Sequence, residues 1–420
     1  MGTAIEGGSN GSLESVRELE AKEWNDIFEM TPYEQAIMLV GIHGIGKSEY
    51  VRDYFEKRGY AMVTLFLGQM ADAGDLIGLP DRTTVTFIYD GKEVTQKITE
   101  FCPPKWWPRS DKTKLVIFLD EFNRGKPEVY QCIQDMTLNR ELNGLKLPKD
   151  TRIIAAINPL DDRYGYQVTE LDPALLDRFN VYGFMPSRKE WVYWAIDAGV
   201  HKLVIGFVIK FGANYLDPPA NGKMGVIYPS RRSWVRLSNI LKKSPKILGE
   251  EEFVTLRNLA AGIIGEAATA SFYSFIKEQK KGIRPGKIVT AWDAETEKKV
   301  KTLNNQDILM LNCELAMHLD EEEEQYFGEM ESKEGKKQAE KYAYNVYQYL
   351  KCLPNELRCD FYDYISEGNT IHKKTWPEKL LSSNISGLVN DFIDLIHGKT
   401  KEEKEQADAF KDPDIDELLK

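Results

Sequence analysis

The stretch Gly41-Ile42-His43-Gly44-Ile45-Gly46-Lys47-Ser48 follows the pattern G-x-x-x-x-G-K-S of a phosphate-binding loop. The apolar run Ala36–Val40 before it predicts a buried parallel strand, and residues 49–58 after it predict a helix. A strand, a glycine-rich loop and a helix in this order aim backbone N–H groups and a helix N-terminus at one point, which favours a polyphosphate. We expect Lys47 to reach the β- and γ-phosphates and Ser48 to bind Mg²⁺. The alternative is a glycine-rich turn that matches by chance.

A second apolar run ends in two acids, Asp120 and Glu121. Five apolar residues, 115–119, predict a strand that is buried on both faces of a parallel sheet. Open α/β sheets bind ligands at the carboxyl ends of their strands. We therefore expect Asp120 to hold Mg²⁺ through water and Glu121 to activate the water that attacks a phosphate. The alternative is an ordinary strand that ends in a polar turn.

Three more segments complete a predicted five-stranded parallel sheet: Tyr60–Leu67, Arg152–Ile157 and Val181–Met185. The second of these ends in Asn158-Pro159, and an amide there can hydrogen-bond a γ-phosphate or the attacking water. A helix opened by Asp172-Pro173 leads to Arg178 at the edge of the last strand. Farther on, residues 228–234 carry Arg231 and Arg232 at the start of another predicted helix.

The order of these motifs resembles the MoxR group of AAA+ ATPases, over roughly residues 30–240. Gly74–Pro80 and the run Asp120-Glu-Phe-Asn-Arg124 are also similar to signatures of that group. The resemblance implies an α/β AAA+ P-loop NTPase core with a five-stranded parallel sheet, followed by a helical lid and a helical C-terminal region. It also implies ATP and Mg²⁺ as cofactors, hydrolysis at the subunit interfaces of a hexameric ring, and chaperone-like remodelling of a partner such as a protein with a von Willebrand factor A domain.

The resemblance assigns roles to single residues. Asp120 and Glu121 form the Walker B pair, Ser48 and Asp120 are the metal ligands, and Asn158 is sensor 1. Arg178 is the arginine finger that reaches the neighbouring subunit's nucleotide, and Arg232 is sensor 2 in the lid. The Walker A and nucleotide-binding set is Gly41, Ile42, His43, Gly44, Ile45, Gly46, Lys47, Ser48 and Glu49.

Three points about the arginines stay open. The register of the sensor 2 segment leaves Arg231 as an alternative to Arg232. Arg124 is a second candidate for contact across the subunit boundary. For each arginine, including Arg178, the simpler interpretation is a surface salt bridge.

Composition limits the classes of partner. The net charge of −11 disfavours a sequence-independent grip on nucleic acid, although a local basic channel is compatible with it. Five cysteines, an odd number with no C-x-x-C pair, favour reduced thiols and a cytoplasmic location. The apolar stretch 259–276 carries Glu266 in mid-span and predicts a packed helix rather than a membrane segment.

The predicted organisation has four parts. Residues 1–33 form an N-terminal lead and helix, 34–186 the nucleotide-binding domain, 187–275 the lid, and 276–420 a helical region with an acidic mobile tail. An insertion at about 81–108 contains a predicted hairpin, 83–99, around Asp90-Gly91. The hairpin either contacts a substrate or partner, or packs on its own subunit for stability.

Two other functional classes compete with the ring ATPase. One is a nucleotide-gated scaffold or regulatory assembly with little turnover, which would have no need of Glu121. The other is a motor on nucleic acid, which predicts an excess of basic residues on the hairpin. Lys92 and Lys97 stand beside Glu93 and Glu100, so the sequence gives no such excess.

Overall fold

The computed structural model describes residues 16–108, 114–159, 169–219, 222–223, 225–249, 252–279, 282–329 and 331–366. Most of the predicted N-terminal lead and the predicted tail lie outside these residues. The chain divides into two compact units. The first contains the described residues up to Ser187 together with Asp217–Ser233, and the second contains Arg188–Leu216 and the described residues from Trp234 onward.

The first unit is built on a parallel sheet with the order β1-β10-β2-β9-β6-β3. The α/β prediction is therefore confirmed. The described sheet has six strands instead of the expected five, because two residues near the start of the chain pair with β10. The strands of the sheet are β1 (Glu18–Leu19), β2 (Ala36–Val40), β3 (Ala61–Phe66), β6 (Leu115–Asp120), β9 (Arg152–Ile157) and β10 (Phe179–Phe184), and the others described are β4 (Leu79–Tyr89), β5 (Lys92–Cys102), β7 (Glu141–Leu142) and β8 (Leu145–Lys146).

Helices cover this sheet, and its central strands are buried on both faces. Alternate residues of β6 belong to two separate cores: Ile117 and Leu119 pack on one side, and Val116 and Phe118 on the other. This alternation follows from the two-residue period of a strand. The helices of this unit are α1 (Ala21–Met30), α2 (Lys47–Glu56), α3 (Gly74–Ile77), α4 (Pro127–Leu138) and α5 (Pro173–Leu176).

The predicted hairpin is present and longer than expected. Strands β4 and β5 pair in antiparallel fashion from Leu79–Cys102 to Tyr89–Lys92. Asp90 and Gly91 have φ values of 50° and 72°, which gives the two-residue turn that the Asp-Gly pair predicts. Most side chains of the two strands are exposed, so this sheet packs little on the described residues of its own unit.

The second unit is helical in its described part, in agreement with the prediction for the C-terminal region. The apolar stretch 259–276 is not one helix, because Gly265 interrupts it with a φ of 81°. No helix in the described ranges is long and apolar enough to span a membrane. The helices are α6 (Arg188–Asp197), α7 (Lys202–Tyr215), α8 (Arg231–Lys243, whose first three residues belong to the first unit), α9 (Phe253–Ile264), α10 (Glu266–Gln279), α11 (Pro285–Thr290), α12 (Ala294–Lys301), α13 (Asn305–Glu321), α14 (Glu323–Phe327), α15 (Lys333–Lys351) and α16 (Asn355–Ser366).

Candidate nucleotide-binding site

The loop 41–46 joins the carboxyl end of β2 to the first turn of α2. Gly46 precedes this helix with a φ of 109°, a conformation that side chains rarely adopt, and no side chain caps the helix. The first N–H groups of α2 are thus free of a side-chain cap, as an anion site at a helix N-terminus requires. Ile42 and Ile45 have their side chains in the hydrophobic core, so the residues at these two positions can face a ligand only through their backbone.

Lys47 is buried, with 8% of its surface exposed. Its Nζ donates to the carbonyl oxygens of Gly41 at 2.6 Å and Ile42 at 3.1 Å, and to Oδ1 of Asn158 at 3.2 Å. Burial lowers the pKa of Lys47 to about 8, against the opposing effect of the Asp120 charge. The ammonium group is therefore bonded only to neutral acceptors, and a bound anion would stabilise its charge.

Ser48 and Asp120 meet directly. The Ser48 Oγ donates to Oδ2 of Asp120 at 2.9 Å, and the other carboxylate oxygen of Asp120 accepts from the backbone N–H of Glu121 at 2.9 Å. Mg²⁺ prefers a carboxylate, water and phosphate oxygens as ligands, so this pair fits such an ion. When bound, the ion would supply charge neutralisation to a polyphosphate at this point.

Glu121 lies one residue beyond β6, with a φ of 50°. Its Oε1 accepts from Nη1 of Arg124 at 3.0 Å, and both side chains are more than a third exposed. Exposed pairs of this kind contribute at most about 1 kcal/mol, so the carboxylate can leave its partner readily. Arg124, the second candidate for contact across a subunit boundary, is thus paired with the predicted base of its own subunit.

Asn158 is in contact with a second buried asparagine, Asn123, for which the sequence predicted no role. The Nδ2 of Asn123 donates to the carbonyl oxygen of Asn158 at 2.8 Å, and only 2% of Asn123 is exposed. The residue belongs to the run Asp-Glu-Phe-Asn-Arg, so the sequence did contain a signal. The Asn158 side chain itself accepts from Lys47.

The two arginines at the start of α8 have different surroundings. Arg231 is buried and forms a bidentate ion pair with Asp217, with N–O distances of 2.9 and 3.0 Å. Arg232 is exposed, and its backbone N–H donates to the carbonyl oxygen of Gly44 in the phosphate loop at 3.3 Å. This turn packs closely on the loop, since a Cβ added at Gly44 would lie 3.1 Å from Oγ of Ser230. The geometry favours Arg232 for the sensor 2 role, which stays a prediction.

Arg178 lies at the amino ends of the strands, whereas the phosphate loop lies at their carboxyl ends. Strands β10 and β2 run parallel with Phe179 opposite Ala36, so Arg178 precedes the amino end of this pair. The phosphate loop follows the carboxyl end of β2, five residues or about 15 Å away. The Nη1 of Arg178 donates to the carbonyl oxygen of Ala174 at 2.8 Å, and the part of the chain that the structure describes gives it no ion pair.

Several charged groups surround His43 in the loop. Its pKa is lowered, first by burial and then by the charges of Lys47, Arg232 and Arg124, while the charge of Asp217 acts in the opposite direction. The three cations near the loop favour a bound anion there. Glu49 points to an exposed ion pair with Arg52 at 2.9 Å, so its part in nucleotide binding can only come from its backbone in this conformation.

Residues 36–179 match the family model described as AAA domain (dynein-related subfamily). The chain therefore contains an AAA domain. The match begins at β2 and ends at the first residue of β10, so the AAA domain contains Lys47, Ser48, Asp120, Glu121 and Asn158. Arg231 and Arg232 lie beyond the matched residues.

Similar solved structures include a mutant of RuvB from Thermotoga maritima, with 12% identity over 67% of this chain and 72% of that chain and a TM-score of 0.32. A protein of Cytophaga hutchinsonii described as a candidate ATPase has 15% identity over 62% of this chain and 89% of that one, with a TM-score of 0.30. NtrX from Brucella abortus in complex with ADP has 11% identity over 77% of this chain and 67% of that one, with a TM-score of 0.32. No curated protein sequence matches this chain.

Proposed function

We propose that this protein is a Mg²⁺-dependent ATPase of the MoxR type, active as a hexameric ring that remodels a partner protein. The observation that carries the proposal is that Lys47 bonds Asn158 and Ser48 bonds Asp120 at the carboxyl ends of the parallel strands β2, β9 and β6. Glu121 follows Asp120 at the same edge. A phosphate cradle, metal ligands and a carboxylate base are the parts that ATP hydrolysis needs.

The residues divide the work of hydrolysis. Lys47 and the N–H groups of the loop hold the β- and γ-phosphates, and Ser48 and Asp120 hold the ion. Once the Glu121 carboxylate has separated from Arg124, it orients and deprotonates the attacking water. Asn158 hydrogen-bonds the γ-phosphate or the attacking water, and Arg232 reaches the γ-phosphate from the start of α8.

The position of Arg178 supports a site that is completed by a neighbouring subunit. Because Arg178 lies about 15 Å of strand away from the phosphate loop of its own sheet, its side chain is too short to reach that nucleotide. A guanidinium that has no ion pair among the described residues can instead spread charge over the γ-phosphate of the next subunit, with two parallel hydrogen bonds. Hydrolysis then requires assembly.

The partner is proposed to be a separate chain, with a von Willebrand factor A domain as the leading class. This step follows the MoxR resemblance, and the exposed β4–β5 hairpin is the proposed point of contact. Phe87, Ile88 and Tyr89 near its tip are 43%, 76% and 71% exposed. Because successive side chains of a strand point to opposite faces, this exposed apolar area lies on both faces of the hairpin. All five cysteines are in the thiol form, outside any disulfide, which is consistent with the proposed cytoplasmic location.

Mixing two inactive variants tests the ring ATPase. Arg178→Ala and Glu121→Gln should each be inactive alone, and their mixture should regain turnover. In the mixture, a Glu121→Gln subunit supplies the arginine to a neighbour that has kept its Glu121. A mixture that stays inactive, although both variants assemble and bind ATP, would overturn the shared site. Comparing turnover with assembly in the wild type separates the ATPase from a nucleotide-gated scaffold.

A further inference from the structure

Asn123 connects three parts of the AAA domain. Its side chain donates to the carbonyl oxygen of Asn158 at 2.8 Å, and its own carbonyl oxygen accepts from the backbone N–H of Thr169 at 2.9 Å. The turn that carries it is held by Phe122, which is fully buried and packs against the tilted ring of Tyr130 and edge-to-face with Phe179. Asn123 is thus presented to the end of β9 with little freedom to move.

This amide is poorly explained as a source of stability. Its Oδ1 is buried and has no hydrogen-bond partner among the described residues. A hydrogen bond contributes about 0.5–1.5 kcal/mol, and an unsatisfied buried acceptor costs about 1–3 kcal/mol. The two effects roughly cancel, so the contribution of the residue must lie elsewhere.

The contacts of Lys47 show where a second support for Asn158 is needed. An ammonium group has three donors, and all three are used on Gly41, Ile42 and Asn158. Lys47 must release at least one of these acceptors to bind a phosphate. In the proposed site Lys47 gives up the Asn158 side chain for the γ-phosphate, whereas the bond from Asn123 to the Asn158 backbone does not depend on Lys47.

We propose that Asn123 is a positioning residue for sensor 1: it holds the Asn158 carbonyl, so that the Asn158 amide keeps its orientation when Lys47 turns to the nucleotide. The proposal rests on the proposed ATPase function. It makes the fourth residue of the Asp-Glu-Phe-Asn-Arg run a supporting member of the hydrolytic site rather than part of the nucleotide contact.

Asn123→Ala should lower the turnover number about tenfold or more, the loss typical of outer-shell supports, with nucleotide affinity within about twofold of the wild type. Asn158→Ala should lower the turnover number further. If Asn123 acts through Asn158, the double variant will be no slower than Asn158→Ala alone. Multiplied losses in the double variant, or wild-type turnover in Asn123→Ala, would overturn the proposal.

Asn123→Asp gives a second readout that a general loss of stability would not move. An ionised carboxylate cannot donate to the Asn158 carbonyl, whereas a protonated one can, and burial raises the pKa of a carboxyl group. Turnover of this variant relative to the wild type should therefore rise as the pH falls. A ratio that is constant with pH would contradict the role of the donor.

Asn345→Ala is the matched control. Asn345 is also a buried asparagine whose Nδ2 donates to a backbone carbonyl, that of Val289 at 2.7 Å, but it lies in the helical unit. Its loss should lower thermal stability and leave the turnover of folded protein unchanged. If the wild type shows no turnover, the ATPase proposal itself fails; if the wild type turns over and Asn123→Ala equals it, only the positioning role fails.

Discussion

Nucleotide affinity should fall as the pH rises from 7 to 9, because Lys47 loses its charge in the free protein. Its Nζ is buried among carbonyl and amide oxygens, and its pKa is lowered to about 8. A bound polyphosphate places negative charge beside the ammonium group and raises that pKa again. Binding therefore takes up a proton above pH 8, and affinity is lost as the pH rises through the pKa of the free protein.

The size of the effect follows from the fraction of charged Lys47. With a pKa of about 8, about nine-tenths of the free protein carries the charge at pH 7 and about one-tenth at pH 9. If the charged form is the one that binds, the affinity should fall about tenfold over this range, or about 1.4 kcal/mol. Burial and the nearby cations lower the pKa of His43 below its usual value, so titration of His43 in the free protein falls below this pH range.

Titration with a fluorescent ATP analogue at constant ionic strength measures this dependence. Lys47→Gln keeps a hydrogen-bond donor without a titrating charge, so it should bind more weakly and show no slope between pH 7 and 9. A wild-type affinity that is flat over this range would refute the reasoning. An equal slope in Lys47→Gln would assign the effect to another group.

Two further predictions concern the remaining proposed elements. Arg231→Ala breaks the pair with Asp217, so it should lower the melting temperature while folded protein keeps its turnover. Arg232→Ala should lower turnover and leave the melting temperature unchanged. Calorimetry and phosphate release on both variants will show whether the roles are interchanged. Replacing Phe87 and Ile88 together by Ser should change the free energy of unfolding by less than about 0.5 kcal/mol and leave basal turnover intact. In a Glu121→Gln background, which binds ATP without hydrolysing it, the same change should abolish retention of a client protein. Undiminished retention would show that the hairpin tip is not part of the interface.

The sequence predicted the parts of the site that depend on contiguous patterns. The phosphate loop, β2 and β6 are each specified by a local run of residues. Their meeting follows because the carboxyl ends of parallel strands share one edge of a sheet. The hydrogen bond between Ser48 and Asp120, residues 72 positions apart in sequence, is the direct outcome of that rule.

Features that depend on a distant partner could not be predicted. The ion pair with Asp217 distinguishes Arg231 from Arg232, and nothing in the local pattern of α8 encodes that pair. Asn123 owes its role to a carbonyl 35 residues away. Strand β1 has two residues, too few for a period to be visible. The break at Gly265 lies within a largely apolar stretch, where a glycine with positive φ ends one helix before the next begins.

The most direct test of the account compares ATP binding and phosphate release in the wild type and in Glu121→Gln. The Glu121 carboxylate accepts a hydrogen bond from Arg124 and not from the phosphate loop or the Ser48 side chain, so the variant should bind Mg²⁺-ATP about as tightly as the wild type. It should hydrolyse the bound nucleotide slower by several orders of magnitude, because the base for the attacking water is lost. Equal rates of phosphate release from equal amounts of bound ATP would contradict the assignment of this site as a hydrolytic one.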